Sequence, residues 1–182
     1  MKYLIFIVFI ALGQTVLGQD IFIARNGEVS FFSETPLENI SAANKNATAL
    51  LNIKTGDVAI KLQTAQFVFP NKLMEEHFNE NYMESEKYPT ATFTGKVVET
   101  IDFGKEGTYA ISAKGTLLMH GVKKERTLAG KLTITKTGMA LVCDLNVPLT
   151  DHKIEVPKLV FEKIAEVIAV KTKFNFVPFT KN

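Results

Sequence analysis

Apolar and polar residues alternate with period two through most of the chain, and turn signals separate the runs. Residues 28–33 follow Arg25-Asn26-Gly27, which reads as a turn, and residues 48–53 run into Thr55-Gly56-Asp57. Residues 58–69 make one long run whose parity slips: Val58, Ile60 and Leu62 share a face, while Phe67 and Phe69 fall on the other. A bulge at residues 64–66 returns both phenylalanines to the first face. Residues 92–101 put Phe93, Val97 and Ile101 on one side, and residues 108–119 group Tyr109, Ile111, Ala113, Leu117 and Met119. Leu128, Leu132 and Ile134 follow on the next run. Met139, Leu141, Cys143, Leu145 and Val147 form another face, and Ile168, Val170, Thr172, Phe174 and Phe176 form the last.

The pattern predicts an all-β fold of about eight strands, each with one apolar face. Hairpin-length links make sequence neighbours antiparallel. The absence of a β–α–β rhythm argues against a parallel sheet. A sheet of this size closes into a barrel or folds into a sandwich. Two helices interrupt it. Over residues 72–84, Met74, Phe78 and Tyr82 recur every four residues beside a polar face of Glu75, Glu76, Asn79 and Glu80. Pro89 bounds that helix. A second short helix over residues 158–166 turns Val160, Phe161 and Ile164 inward.

Residues 1–18 have a different character: a positive start, an apolar run over residues 3–12 too short to span a bilayer as a permanent helix, and small residues before Gln19. This is the layout of a secretory signal peptide, which leaves residues 19–182 as one domain and a periplasmic or secreted protein with no stable membrane insertion. The whole chain carries 21 Lys+Arg against 19 Asp+Glu, too even a balance for a nucleic-acid binder that works through counterion release. One Cys allows no internal disulfide and no multi-cysteine metal site.

Candidate chemistry is sparse. No phosphate-binding, hydrolase-elbow, zinc-protease or paired-cysteine motif occurs. His77, His120 and His152 are far apart in sequence, and read as a helix-boundary residue, a turn residue and a solvated loop residue. Cys143 falls on an apolar face and reads as a small hydrophobe. Glu75, Glu76, Glu80 and Glu84 read as a solvated face, and Lys123-Lys124-Glu125-Arg126 as a charged turn. Asn39-Ile40-Ser41 and Asn46-Ala47-Thr48 match the glycosylation acceptor pattern.

Three segments in this order resemble the YceI family of lipid- or polyisoprenoid-binding proteins. They are Phe67-Val68-Phe69 through Leu73-Met74-Glu75-Glu76-His77-Phe78-Asn79-Glu80, then Ser85 through Tyr88-Pro89 to Phe93, then Lys114-Gly115-Thr116-Leu117-Leu118-Met119-His120-Gly121-Val122. The second is similar to that family's F/Y-P-x-x-x-F segment and the third to its G-x-L-x-x-H-G-V hairpin. The chain departs from the family in lacking Trp and in a loosely matching first strand. The resemblance implies an extended lipocalin-like antiparallel eight-stranded β-barrel with one or two short helices, dimeric in some members. It also implies an apolar tunnel for an isoprenoid quinone or polyprenyl lipid. Together with the sparse chemistry this reads as a secreted binding protein with no catalysis of its own and no cofactor apart from such a bound lipid.

Strand parity supplies inward candidates for such a tunnel: Ile60, Leu62, Phe67, Phe69, Phe93, Leu117, Leu141, Phe174 and Phe176, with Met74 and Phe78 of the helix covering one end. The 14 Phe and 5 Met suit a flexible apolar pocket and equally suit a solid core. Two other classes stay open. One is an envelope interaction module with a filled barrel. The other is an enzyme on a lipophilic substrate, which requires His77 or His120 to meet a carboxylate inside the barrel.

Overall fold

The computed structural model describes residues 20–35, 39–155 and 164–180. Eight antiparallel strands close into a barrel in sequence order: β1 (Ile21–Glu34), β2 (Asn39–Asn52), β3 (Asp57–Gln63), β4 (Thr90–Val97), β5 (Gly107–Met119), β6 (Val122–Thr135), β7 (Gly138–Pro148) and β8 (Val167–Pro178). Pairing of β1 with β8, with Phe31 opposite Val170 and Val29 opposite Thr172, completes the ring. The expected eight-stranded fold is therefore present, and its register puts the alternating apolar faces inside.

The first two strands are longer than the alternation suggested. Arg25-Asn26-Gly27 is not a turn but part of an irregularity within β1, where the register against β2 shifts between Ala24 and Gly27 and again before Val29. Those shifts let Ala24 and Val29, at opposite parity in sequence, both enter the core. The break hid the first half of the strand from a period-two reading. On β2, Asn44 is fully buried. Its side-chain amide donates to the carbonyl of Gln63 at 2.8 Å, and its Oδ1 accepts from the Asn46 backbone at 2.9 Å. A polar residue inside the strand is thereby satisfied, at the cost of the apolar rhythm.

The run over 58–69 is also not one strand. β3 ends at Gln63, and a 3₁₀ turn, Thr64–Gln66, replaces the expected bulge. It has the predicted effect on parity: Phe67 and Phe69 are buried while Val68 between them is 65% exposed. Val68 makes a single bridge to Ala43 of β2. The helix that follows, α1 (Lys72–His77), is shorter than the expected 72–84 and passes into a wider π-helical turn, Phe78–Tyr82. Asn71 caps α1, its Oδ1 accepting from the Leu73 amide at 2.9 Å. β4 stops at Val97 rather than continuing to residue 101. The second predicted helix, 158–166, lies mostly outside the described residues, and residues 164–166 within them are not helical.

Side-chain size divides the barrel along its axis. In one half, cross-strand rows fill the interior: Leu132, Leu141 and Phe174 make one row across β6, β7 and β8, and Ile134, Met139 and Phe176 the next. The facing pairs across β1 and β2 are small, Gly27 opposite Ala47 and Ala24 opposite Ala49. Bulk on β8 lies over the small residues of the neighbouring β1, which lets the closed barrel reach interior packing density. Phe174 and Phe176 are 0% and 1% exposed. One row further along β8 the residues shrink to Gly130, Cys143, Thr172 and Val29, and the solid core ends there.

Candidate functional site

Beyond that row the other half of the barrel is hollow. The cavity has a volume of about 460 Å³, within the range of about 300–1,000 Å³ usual for small-molecule sites. Val29, Phe31, Ile60, Leu62, Phe93, Leu117, Leu145 and Val170 form its walls, and Met74 and Phe78 reach over it from the helical segment. Four phenylalanines pack at the helical end. Phe31 stacks on Phe78 with centroids 5.6 Å apart, and Phe67 and Phe69 lie 5.5 and 5.1 Å from Phe78. This cluster ties β1, the segment after the 3₁₀ turn and the π-helical turn into one aromatic cap.

Of the residues inferred from parity, Ile60, Leu62, Phe67, Phe69, Met74, Phe78, Phe93 and Leu117 line the cavity. Leu141, Phe174 and Phe176 do not: they belong to the packed half, below the row at which the hollow begins. Parity finds the inward face of a strand but not the height along the barrel at which a side chain stops filling and starts enclosing. Phe31 was missed, because the Phe31-Phe32 pair reads on either face. Its position two residues after Val29 and two before Ser33 was the available signal. Phe31 faces inward, and Phe32 is 40% exposed.

No Asp, Glu, Lys or Arg lines the cavity among the described residues. Several of its polar groups are already engaged with backbone. Thr64 Oγ1 donates to the Tyr88 carbonyl at 3.0 Å, and Ser33 Oγ accepts from the Ala165 amide at 2.8 Å. Thr172 Oγ1 donates to the Cys143 carbonyl at 3.3 Å. What they present to the interior is chiefly carbon. Two polar side chains on the helical segment, His77 and Tyr82, join the lining. Burial pushes the Tyr82 phenol up, so it stays neutral across the physiological range. The surface is suited to an apolar chain held by shape and exclusion of water, with polar contact confined to the helical end.

The other two histidines build a separate feature. His120 and Gly121 form the two-residue turn between β5 and β6, both with positive φ, 50° and 71°, the geometry that suits a twisted hairpin. His120 Nε2 is 2.7 Å from Glu84 Oε2, and Nδ1 is 3.0 Å from the His152 carbonyl. The Tyr88 ring meets the His120 ring edge-on at 4.6 Å, and a Cβ on Gly121 would strike Tyr88. The Tyr-Pro and His-Gly segments, far apart in sequence, are thus two sides of one clasp that holds the chain after the helical segment against the hairpin. Neither residue of the His-Gly pair lines the cavity. Its hydrogen bond to His120, and then Lys87, holds the Glu84 carboxyl below the usual carboxylate range, so this residue is not simply part of a solvated face.

His152 is likewise not solvated, as its loop position suggested, but 0% exposed. Its Nδ1 lies 3.2 Å from the Met119 carbonyl. Lys123-Lys124-Glu125-Arg126 is not a turn but the start of β6, and Arg126 pairs with Asp151 beside His152, which fastens this segment to that strand. Cys143 is buried, and desolvation pushes its thiol up to about 11. A thiol held that high is protonated and unreactive at neutral pH. Among the described residues no group of three or more His, Cys, Asp or Glu is placed to hold a metal ion, and no helix is long and apolar enough to cross a membrane.

Comparison with known proteins places this architecture. A polyisoprenoid binding domain from Saccharophagus degradans, implicated in plant cell wall breakdown, superposes with a TM-score of 0.75 at 12% identity, covering 88% of this chain and 99% of that one. BcnA of Burkholderia cenocepacia gives 0.70 at 14% identity, covering 82% and 95%. The YceI protein of Campylobacter jejuni gives 0.57 at 17%, covering 78% and 85%. At these identities the likeness establishes the fold. No curated protein matches the sequence. The family's own sequence pattern, the YceI-like domain, matches residues 23–176, nearly the whole barrel, and the chain belongs to that family.

Proposed function

We propose that this protein is a non-catalytic carrier or store for a long apolar ligand, an isoprenoid quinone or polyprenyl lipid, whose chain lies in the hollow half of the barrel. The observation that carries this reading is the carbon-lined cavity of about 460 Å³ enclosed at one end of the closed barrel. Burying apolar chain contributes about 0.8 kcal/mol per methylene, or roughly 3–4 kcal/mol gross per isoprene unit, and association costs take back part of that sum. No directional contact is needed. The polyisoprenoid-binding relative of the same fold supports the ligand class. An enzyme on a lipophilic substrate fits less well, because the cavity offers no described carboxylate to pair with His77, and His120 is engaged in the clasp. A filled-barrel interaction module is disfavoured by the cavity itself. The apolar leader pattern of residues 1–18 supports a site of action in the periplasm or outside the cell.

The test is mass spectrometry of an organic extract of the protein, purified without detergent from its native source. A stoichiometric prenyl lipid is the expected result. Leu117→Asn, a half-buried position on the cavity wall, should reduce the lipid recovered per folded protein several-fold. An empty extract, together with no uptake of added quinones or polyprenols, overturns the reading.

A further inference from the structure

Resting on that reading, we propose that the barrel measures its ligand: it encloses a chain of about three isoprene units and stops at a floor set by Phe174, so that any longer chain stays outside. The cavity of about 460 Å³, at about 30 Å³ per water-sized group, holds roughly fifteen carbons. That is the length of a farnesyl chain, and far short of a long polyprenyl tail.

The floor is built rather than incidental. Thr172 lines the cavity, and Phe174, the next inward residue on β8, is 0% exposed. The Phe174 ring lies where a side chain on Gly27 of the neighbouring β1 would stand, so it lies flat against that strand and the barrel wall is closed over it. Leu141 and Leu132 extend the same row across β7 and β6. A second full row, Ile134, Met139 and Phe176, backs it. On β4 the Phe93 ring, part of the cavity lining, lies along its own strand, its tip 2.9 Å from where a Cβ on Gly95 would stand. An apolar chain entering at the helical end meets this layer, and interiors packed to this density do not open for another isoprene unit. Chain units beyond the third gain no burial, so affinity stops rising with length.

Native mass spectrometry of the purified protein with an equimolar mixture of geraniol, farnesol, geranylgeraniol and solanesol tests this directly. Farnesol should outcompete geraniol by at least about tenfold, as one more buried unit requires. Geranylgeraniol and solanesol should gain no more than about threefold over farnesol, since their extra units lie outside. Phe174→Ala lowers the floor and should give geranylgeraniol about a tenfold advantage over farnesol. Thr172→Phe raises the floor by one row into existing space and should abolish the advantage of farnesol over geraniol; it carries the test if Phe174→Ala does not fold. An unmodified protein whose occupancy keeps climbing tenfold from farnesol to geranylgeraniol, or a Thr172→Phe variant with unchanged preference, overturns the length limit while leaving the binding reading intact. Failure of all four prenols to bind overturns the binding reading and the length limit with it.

Discussion

At the scale of single residues, two positions control more than their size suggests. Gly27 is needed because the Phe174 ring occupies the volume of its missing side chain. Gly27→Ala should cost about 1–3 kcal/mol by overpacking, read as a lower urea midpoint. Phe174→Leu in the same chain should recover part of the loss, which a purely conformational role for the glycine does not predict. His152 is the second. Burial holds its imidazole below the usual 6.5, so between the two values the unfolded chain binds a proton that the folded one excludes. Stability is therefore retained above about pH 6.5 and falls as the pH drops below it. Glu84, held below the usual 4.5 chiefly by its hydrogen bond to His120, adds a second loss as pH falls through the carboxylate range. Urea midpoints between about pH 7.5 and pH 5.5 should decline for the unmodified protein and flatten in His152→Gln. Neither role was legible in the sequence. Gly27 looked like a turn and His152 like a loop residue, because each is defined by a neighbour distant along the chain.

At the scale of elements, the segment from Phe67 to Tyr88 overlies part of the helical end of the barrel, and its fastenings are local and few. Asn71 starts α1, the aromatic cap holds its middle, and the clasp of Glu84 and Tyr88 on the β5–β6 turn holds its end. Asn71→Ala removes the cap and should cost about 1 kcal/mol. Amide hydrogen exchange should quicken over residues 72–83 while the strands stay protected. The alternation made the strands legible, including the inward faces of β3, β4 and β5. It failed at β1 and β2, where register shifts and the buried Asn44 break the period. It failed again at residues 64–66, where a 3₁₀ turn and a bulge restore the same parity and differ only in backbone path.

For the whole molecule, the sequence pointed to a barrel and to an apolar interior, but not to the partition of that interior. Phe69 and Phe174 are equally buried in pattern, yet Phe69 lines space and Phe174 fills it. The difference comes from what lies beside each on the neighbouring strands, for Phe174 the glycine of β1 and the small residues paired with it on β2, and no local pattern encodes that. The extraction and prenol experiments belong to this scale, since they read the hollow half as one object.

Closure of the ring through β1 and β8 has a consequence for how the protein comes into being. These strands are the first and last of the barrel in chain order, and their pairing, Val29 with Thr172 and Phe31 with Val170, spans nearly the whole domain. Contacts of such sequence separation form late and slowly, after the hairpins that need only short loops. Until β8 docks, β1 and β7 each present an unpaired edge, the state in which an open sheet is most prone to join another chain. The pocket does not exist until that final docking supplies Ile168, Val170 and Thr172 to its wall. Any ligand can therefore reward only the last step of assembly, and a nascent chain must reach that step unaided.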